Sequence, residues 1–222
     1  MLPDFVHITD GKSGDNTAAR NVQVKGGSII VCDRGYFDTE LFYVWDSKNV
    51  FFVCMVWDNM LYQRIEERDL PQKTHPEVLI DELVQLTGNE TSVQYPKPIR
   101  RIAVYNAEHH YTMELVTNNM KLSAGTIADL YKARWDIEIF FRNLKQNFHI
   151  KSFVGTSRNA VEIQIWTALI TMLLLAVLKQ QANYKWRFSN LVSSLRLNTF
   201  TKIDLQRWLN EPFTPPPEED NS

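Results

Sequence analysis

GGSIIVCDRGYFDTELFYVWDSKNVFFVCMVWDN, residues 26–59, is the stretch that decides the fold. Residues 28–32 form an apolar, β-branched run without alternation, which is typical of a strand buried on both faces. A helix with Asp38 or Thr39 as its N-cap follows, and residues 50–57 form a second apolar strand. We expect this helix to bury Leu41, Phe42, Val44 and Trp45. The order of strand, turn, helix and strand predicts a parallel α/β arrangement.

The composition indicates a globular protein of a reducing compartment. The chain has 222 residues, of which 44% are hydrophobic and 12% aromatic, enough for a substantial core. Cys32 and Cys54 both lie in apolar strand-like runs, so we expect buried thiols and no disulfide scaffold. The most apolar run, residues 165–178, is shorter than the ~20 residues that span a bilayer, and it predicts a buried helix and no membrane partner.

The rest of the chain alternates between β-rich and helical character. A short strand over 5–9, a helix over 15–20 and a hairpin of 99–105 with 111–117 are predicted. Prolines and charges punctuate residues 59–120, which indicates a β-rich insertion. Further helices are expected from Ser123 or Thr126 to near His149, over 160–181 and, more weakly, over 188–195, followed by a polar, disordered tail with PPPEED at 215–220.

A polar ridge runs along the predicted helix YKARWDIEIFFRNLKQNF, residues 131–148. At ~100° per residue, Tyr131, Arg134, Glu138 and Lys145 fall within roughly 60° of one another, and Arg142 flanks them. The apolar arc beside this ridge is expected to be buried and consists of Leu130, Ile137, Phe140, Phe141, Leu144 and Phe148.

The charge distribution is informative where the net charge of −2 is not. Residues 131–158 contain six Lys and Arg against two acidic residues, a basic band that is compatible with a phosphate backbone. The alternative is a solvated face in which Glu138 makes only i,i+4 pairs.

Asp33 is the second carboxylate of interest because it follows a buried parallel strand, where open α/β sheets bind ligands. The alternative is that Asp33 only begins a turn with Gly35. Hard divalent cations such as Mg²⁺ take carboxylate oxygens from different elements of a fold. The adjacent His109 and His110 have no third ligand nearby in the sequence and indicate an ordinary loop.

The spacing Y-x2-R-x3-E-x6-K of Tyr131, Arg134, Glu138 and Lys145 resembles the signature of insertion-sequence family four transposases. The surrounding segments are also similar to that family and extend from about Leu2 to Lys179: FVHITDG, IIVCDRGYFD, LVTNN and IKSFVGTSRNAVEIQIW.

The resemblance implies a ribonuclease-H-like α/β core of the DDE transposase/integrase type, with a β-rich insertion and C-terminal helices. It further implies metal-dependent cleavage and transfer of DNA strands, with Asp33 as the second acid and Glu138 as the third, both holding Mg²⁺ or Mn²⁺. Water and then a DNA 3′-hydroxyl would attack phosphorus. Tyr131, Arg134, Arg142 and Lys145 would contact the phosphates of double-stranded transposon ends.

The same resemblance suggests how the chain is divided into domains and where in the cell it acts. The expected parts are a partial core at 1–58, the β-rich insertion at 59–120, the C-terminal part of the core at 121–183, and a helix with a disordered tail at 184–222. The setting would be the bacterial cytoplasm, in association with the nucleoid, and a homodimer in the DNA complex is compatible with it.

The sequence departs from the family at two places. The strand that bears the first catalytic aspartate is expected upstream of FVHITDG, so the first core strands and the first acid are expected to be missing. Met55 and Trp57 stand where the family commonly has basic residues. We therefore expect an inactive or truncated transposase. The alternatives are a non-catalytic DNA-binding remnant that inhibits transposition, and an unfolded remnant.

Overall fold

The computed structural model describes Ile8, 15–70, 75–148 and 153–213, which fall into two compact units divided between Asp136 and Ile137. The first unit contains one six-stranded sheet, and the second is built from helices. The strands are β1 (Ile29–Cys32), β2 (Phe51–Met55), β3 (Tyr62–Glu67), β4 (Val78–Leu86), β5 (Ile99–Asn106) and β6 (Tyr111–Thr117).

Eight helices lie in the described ranges. They are α1 (Asp15–Arg20), α2 (Thr39–Ser47), α3 (Thr91–Gln94), α4 (Ala124–Ala133), α5 (Trp135–Asn147), α6 (Arg158–Gln181), α7 (Phe188–Leu197) and α8 (Leu205–Asn210). The strand predicted over 5–9 lies, apart from Ile8, outside the described residues, as does the tail from 214 onward.

The sheet is mixed, with the strand order β1-β2-β6-β5-β4-β3. β1 and β2 are parallel and are connected through α2, which confirms the predicted α/β unit. β6 pairs antiparallel with β2 and also with β5, so the predicted hairpin is confirmed. The strands of the predicted insertion, residues 59–120, therefore continue the sheet that β1 and β2 begin.

The inner strand β2 is buried on both faces, as its unbroken apolar sequence predicts. On one face Phe52 stacks on Phe42 of α2, with ring centroids 4.2 Å apart. On the other face Val53 belongs to a cluster that contains Ile127 and Ala128 of α4. One helix thus covers each side of the strand pair, and the carboxyl ends of β1 and β2 remain at one edge.

Side-chain caps start the helices that flank the sheet. Asp38 Oδ1 accepts a hydrogen bond from the Leu41 N–H at 3.0 Å and begins α2. Ser123, and not Thr126, caps α4, because its Oγ accepts from the Thr126 N–H at 3.1 Å. Leu41, Phe42 and Trp45 are buried as expected, whereas Val44 is exposed, because it lies on the solvent side of α2.

The single helix predicted through residues 131–148 is divided in the structure. α4 ends at Ala133, and Arg134 keeps helical dihedral angles (φ −56°, ψ −30°). The Arg134 N–H donates to the Tyr131 carbonyl at 3.1 Å, an i→i−3 bond of the 3₁₀ type. No Gly or Pro marks this interruption in the sequence, so periodicity could not predict it.

The predicted burial of the apolar arc is only partly correct. Leu144 is buried, and Phe140 and Phe148 pack with it against Ala168 and Leu169 of α6. Ile137 and Phe141 are exposed, because the helices described around α5 cover a narrower stripe than the sequence predicts. Leu130, on α4, packs against the cluster around Ile127.

The burial of α6 also differs from the prediction, because the whole apolar run at residues 165–178 was expected to be buried. Only Ala168, Leu169, Met172 and Leu175 are buried, all on one side of the helix. Of the described helices, α6 alone is long and apolar enough to cross a membrane, a property that core helices of soluble proteins share. α8, which the sequence did not predict, begins at Asp204 and buries Leu209 beside Trp186.

Candidate active site

Asp33 lies directly after β1, at the carboxyl edge of the parallel strand pair. Its Oδ1 accepts a hydrogen bond from the Gly35 N–H at 2.9 Å and caps the 3₁₀ turn Arg34–Tyr36. The turn that was the alternative interpretation of Asp33 is therefore present. The side chain remains 44% exposed, so the carboxylate can cap the turn and still meet a ligand from solvent.

Arg134 and Tyr131 reach the same edge from α4. The Arg134 Nη1 nitrogen lies 4.0 Å from the Asp33 Oδ2 oxygen, and the guanidinium lies over the Tyr131 ring, 5.4 Å from its centroid. It also lies 6.0 Å from the Trp135 ring centroid. A guanidinium has five N–H donors in a planar fork, a geometry that suits phosphate oxygens. Asp33, Tyr131 and Arg134 are thus brought together.

The burial of Tyr131 sets its protonation state. Burial raises the pKa of Tyr131 to about 12, while the charge and hydrogen bond of Arg134 act in the opposite direction. Nearby Cys54 and Asp33 add to the rise. The phenol is therefore held in its protonated form to a higher pH than an ordinary tyrosine.

The two cysteines pair across β1 and β2 without a disulfide, as predicted. Cys32 and Cys54 are register partners and both are buried. A hydrogen bond to Cys32, followed by burial, holds the pKa of the Cys54 thiol far above its usual range. Since the thiolate is the nucleophilic form, the raised pKa keeps Cys54 in its unreactive thiol form at neutral pH.

A second cation lies at this edge and was missed from the sequence. The Arg34 guanidinium lies over the Trp57 ring, 4.1 Å from its centroid, and Trp57 is 51% exposed. Trp57 follows β2 and Arg34 follows β1. Because these two strands pair in parallel, the residues that follow them lie next to each other. Trp57 lies where a basic residue was expected, and the stacked Arg34 brings a positive charge to that position. The sequence feature that could have indicated this contact is that each of the two residues follows one of two paired strands.

Glu138, Arg142 and Lys145 lie on α5, where they are exposed. Their spacing of four and three residues places them on one face of this helix. They belong to the second unit, whereas Asp33, Tyr131 and Arg134 belong to the first. The predicted ridge is therefore divided between the units, with Tyr131 and Arg134 in the first and Glu138, Arg142 and Lys145 in the second.

The donor chemistry fits a divalent cation, although the described residues do not complete a site. Among residues 8, 15–70, 75–148 and 153–213, no group of three His, Cys, Asp or Glu side chains could hold a metal ion. Asp33 offers carboxylate oxygen, the donor that Mg²⁺ prefers, and Mg²⁺ sites often use only one or two carboxylates with several waters. His109 and His110 lie in the turn between β5 and β6, where the His109 ring packs near Tyr111 and Trp135.

Comparison with known proteins points to one family. A family model described as the transposase DDE domain matches residues 2–174. A protein named as a transposase in Sinorhizobium fredii is 31% identical over 176 residues, which are 79% of this chain and 49% of the relative. A protein named as an insertion-sequence transposase in Geobacillus stearothermophilus is 29% identical over 195 residues, 86% of this chain and 51% of the relative. A similarly named protein of Synechocystis is 22% identical over 216 residues, 95% of this chain and 59% of the relative.

The chain belongs to the transposase DDE domain family, because the family model covers most of its length. Its mixed α/β sheet is consistent with that membership. The chain spans about half the length of the first curated relatives that it matches.

Proposed function

We propose that the chain belongs to an insertion-sequence transposase of family four, and that its sheet is part of a ribonuclease-H-like core. In this proposal Asp33 is the second metal-binding acid and Glu138 is the third. The observation that supports it most strongly is the position of Asp33 at the carboxyl end of a parallel strand, with Arg134 4.0 Å away. Open α/β sheets bind ligands at this edge.

Each residue has a role in this proposal. Asp33 and Glu138 would hold Mg²⁺ or Mn²⁺, which when bound stabilises the attacking and leaving oxygens of a phosphoryl transfer. Arg134 and Lys145 neutralise phosphate charge, and Arg142 extends the contact along α5. The phenol of Tyr131 is protonated at neutral pH and donates a hydrogen bond to a phosphate oxygen. The substrate is the double-stranded end of the element, and transposition takes place at the bacterial nucleoid.

A metal-dependent binding experiment tests the proposal. A fluorescein-labelled duplex from the end of the element is titrated with the chain in EDTA, Mg²⁺ or Mn²⁺. We expect the metal to strengthen binding by the unchanged chain, because the cation links the carboxylates to phosphate. Asp33→Asn and Glu138→Gln should each abolish that increase.

The matched control is Asp136→Asn, because Asp136 is an exposed carboxylate two residues from Glu138 on the same helix. It should leave the metal effect intact. A protein that only binds DNA would behave differently. In that case Glu138→Gln would bind DNA as well as, or more tightly than, the unchanged chain, with and without metal, and the catalytic assignment would be wrong.

A further inference from the structure

A cleft in the second unit lies beyond the residues that the family model matches. The model ends at residue 174, and the cleft is formed by residues 184–194 together with Phe213. Its volume is about 390 Å³. Neither the signature residues nor α5 contribute to it, so the proposed transposase chemistry leaves it unexplained.

Aromatic rings form one wall of the cleft. Trp186 is buried, and its Nε1–H donates to the Leu209 carbonyl at 2.8 Å, which fixes the ring. Tyr184 packs edge-on against Trp186 at 5.1 Å and against Phe213 at 5.9 Å between centroids. Tyr184 is 40% exposed and Phe213 82% exposed, so two aromatic faces remain open to solvent on a fixed base.

Positive charge forms the other wall. Lys185 and Arg187 flank Trp186 in the sequence, line the cleft and are exposed. Within the described part of the chain, neither makes an ion pair, and no carboxylate lines the cleft. α7 begins here with Arg187 at its N-cap, and no side chain caps its first N–H groups. Asn190 and Ser193 of α7 add neutral donors. The wall is therefore suited to an anion.

We propose that this cleft binds a single-stranded segment of DNA. The bases stack on Tyr184 and Phe213, and Lys185, Arg187 and the start of α7 hold the phosphates. Aromatic faces beside a cationic groove are the arrangement by which proteins bind single strands without sequence preference. A duplex hides the faces of its bases, and an acidic peptide provides charge without planar rings. This inference does not depend on Asp33 or Glu138.

Fluorescence anisotropy of the full chain with labelled oligothymidine, in EDTA, tests this inference. A probe of about 12 nucleotides lies within the ~4–16-nucleotide site sizes of single-strand binders. Tyr184→Leu and Phe213→Leu should each weaken binding by about 5- to 100-fold, since a stacked base contributes ~1–3 kcal/mol. The joint variant Lys185→Gln/Arg187→Gln should lower the slope of log K against log salt by about 1.4, for two phosphates at ~0.7 each.

The joint variant Lys179→Gln/Lys202→Gln is the matched control, because it removes two exposed positive charges of the same unit outside the cleft. It should leave the affinity nearly unchanged, and all variants should melt like the unchanged chain. An equal loss in the control would show diffuse charge attraction and overturn the proposal. So would equally tight binding of a duplex of the same length, or displacement of the oligothymidine by an equal concentration of an acidic peptide.

The result is separable from the test of the active site. The oligothymidine titrations are made in EDTA, so they do not depend on the metal-binding acids proposed above. If the unchanged chain shows no metal effect on duplex binding but binds oligothymidine as expected, only the catalytic assignment is wrong. If the metal effect on duplex binding is present but Tyr184→Leu binds oligothymidine as tightly as the unchanged chain, only the proposal for the cleft is wrong.

Discussion

The Nη1 nitrogen of Arg134 lies 4.0 Å from the Oδ2 oxygen of Asp33, at the carboxyl edge of β1. This separation is longer than that of a short charged hydrogen bond. The Tyr131 ring lies beneath the guanidinium and limits its movement. A cation oriented beside a carboxylate can hold a phosphate next to the group that binds a metal, as the proposed reaction requires.

Arg134→Gln should weaken the binding of duplex DNA. If Arg134 neutralises one phosphate, the slope of log K against log salt should become less steep by about 0.9. The affinity should fall for all sequences alike, since a phosphate contact carries no base information. Anisotropy titrations at several salt concentrations measure both quantities.

Lys132→Gln is the matched control for Arg134→Gln, because Lys132 is an exposed cation on the same helix. We expect a smaller loss of affinity for this variant. An equal loss in both variants would mean that the whole basic band attracts DNA without a specific position for Arg134.

The buried ion pair between β4 and β5 should be important for stability. Arg100 is 1% exposed, and its Nε and Nη2 donate to both Asp81 oxygens at 2.8 and 2.7 Å. Its Nη1 also donates to the carbonyls of Asn119 and Leu122. Asp81→Asn leaves the buried guanidinium without its charge partner, so the free energy of unfolding should fall by about 3–5 kcal/mol in urea titrations.

Glu67→Gln provides the comparison, because Glu67 pairs with Arg64 at 3.6 Å and both side chains are mostly exposed. Its removal should change the free energy of unfolding by less than about 1 kcal/mol. The unchanged chain should unfold in one cooperative transition. A broad, non-cooperative loss of structure would instead support the unfolded remnant.

Sequence patterns predicted the elements whose residues share one environment. β1 and β2 were predicted because each is an unbroken apolar run, and the β5–β6 hairpin because two strand-like runs flank a polar turn. α5 was harder to predict, because its sequence has more apolar positions than its neighbours cover. Periodicity records which residues share a face and not how wide the opposing surface is. Ile137 and Phe141 are exposed for that reason.

The sequence predicts a residue of the candidate site only where the pattern that marks this residue lies within a single helix or strand. The spacing of Tyr131 and Arg134 predicts a shared helix face, and the strand-end position of Asp33 predicts a place at the edge of the sheet. The stacking of Arg34 on Trp57 depends on the parallel register that pairs Cys32 with Cys54, so no local pattern contains it. The 3₁₀ bond at Arg134 likewise coincides with its tertiary contact to Asp33.

Stability should fall at high pH because Tyr131 is buried. Its folded pKa is about 12, against an ordinary value of 10.0, so the folded state holds the phenolic proton more tightly than the unfolded state. This contribution is fully present below about pH 10, decreases as the pH rises, and is lost above about 12. A shift of this size corresponds to about 2–3 kcal/mol by linkage.

Urea titrations between pH 9 and 12 measure this effect, as a difference between the unchanged chain and Tyr131→Phe, at about half-unit steps. The variant should lose stability less steeply over this range. Tyr111→Phe is the control, because Tyr111 is exposed, and its slope should match that of the unchanged chain. Parallel slopes for all three proteins would contradict the proposed burial of the Tyr131 proton.

The chain alone should not nick DNA that carries the end of the element, in Mg²⁺ or in Mn²⁺. In the proposed site Asp33 and Glu138 supply two acids, and the described residues contain no three-ligand metal group. Conversion of supercoiled plasmid to the open-circular form measures nicking. Nicking by the chain alone that disappears in Glu138→Gln would contradict this prediction, because two acids would then suffice.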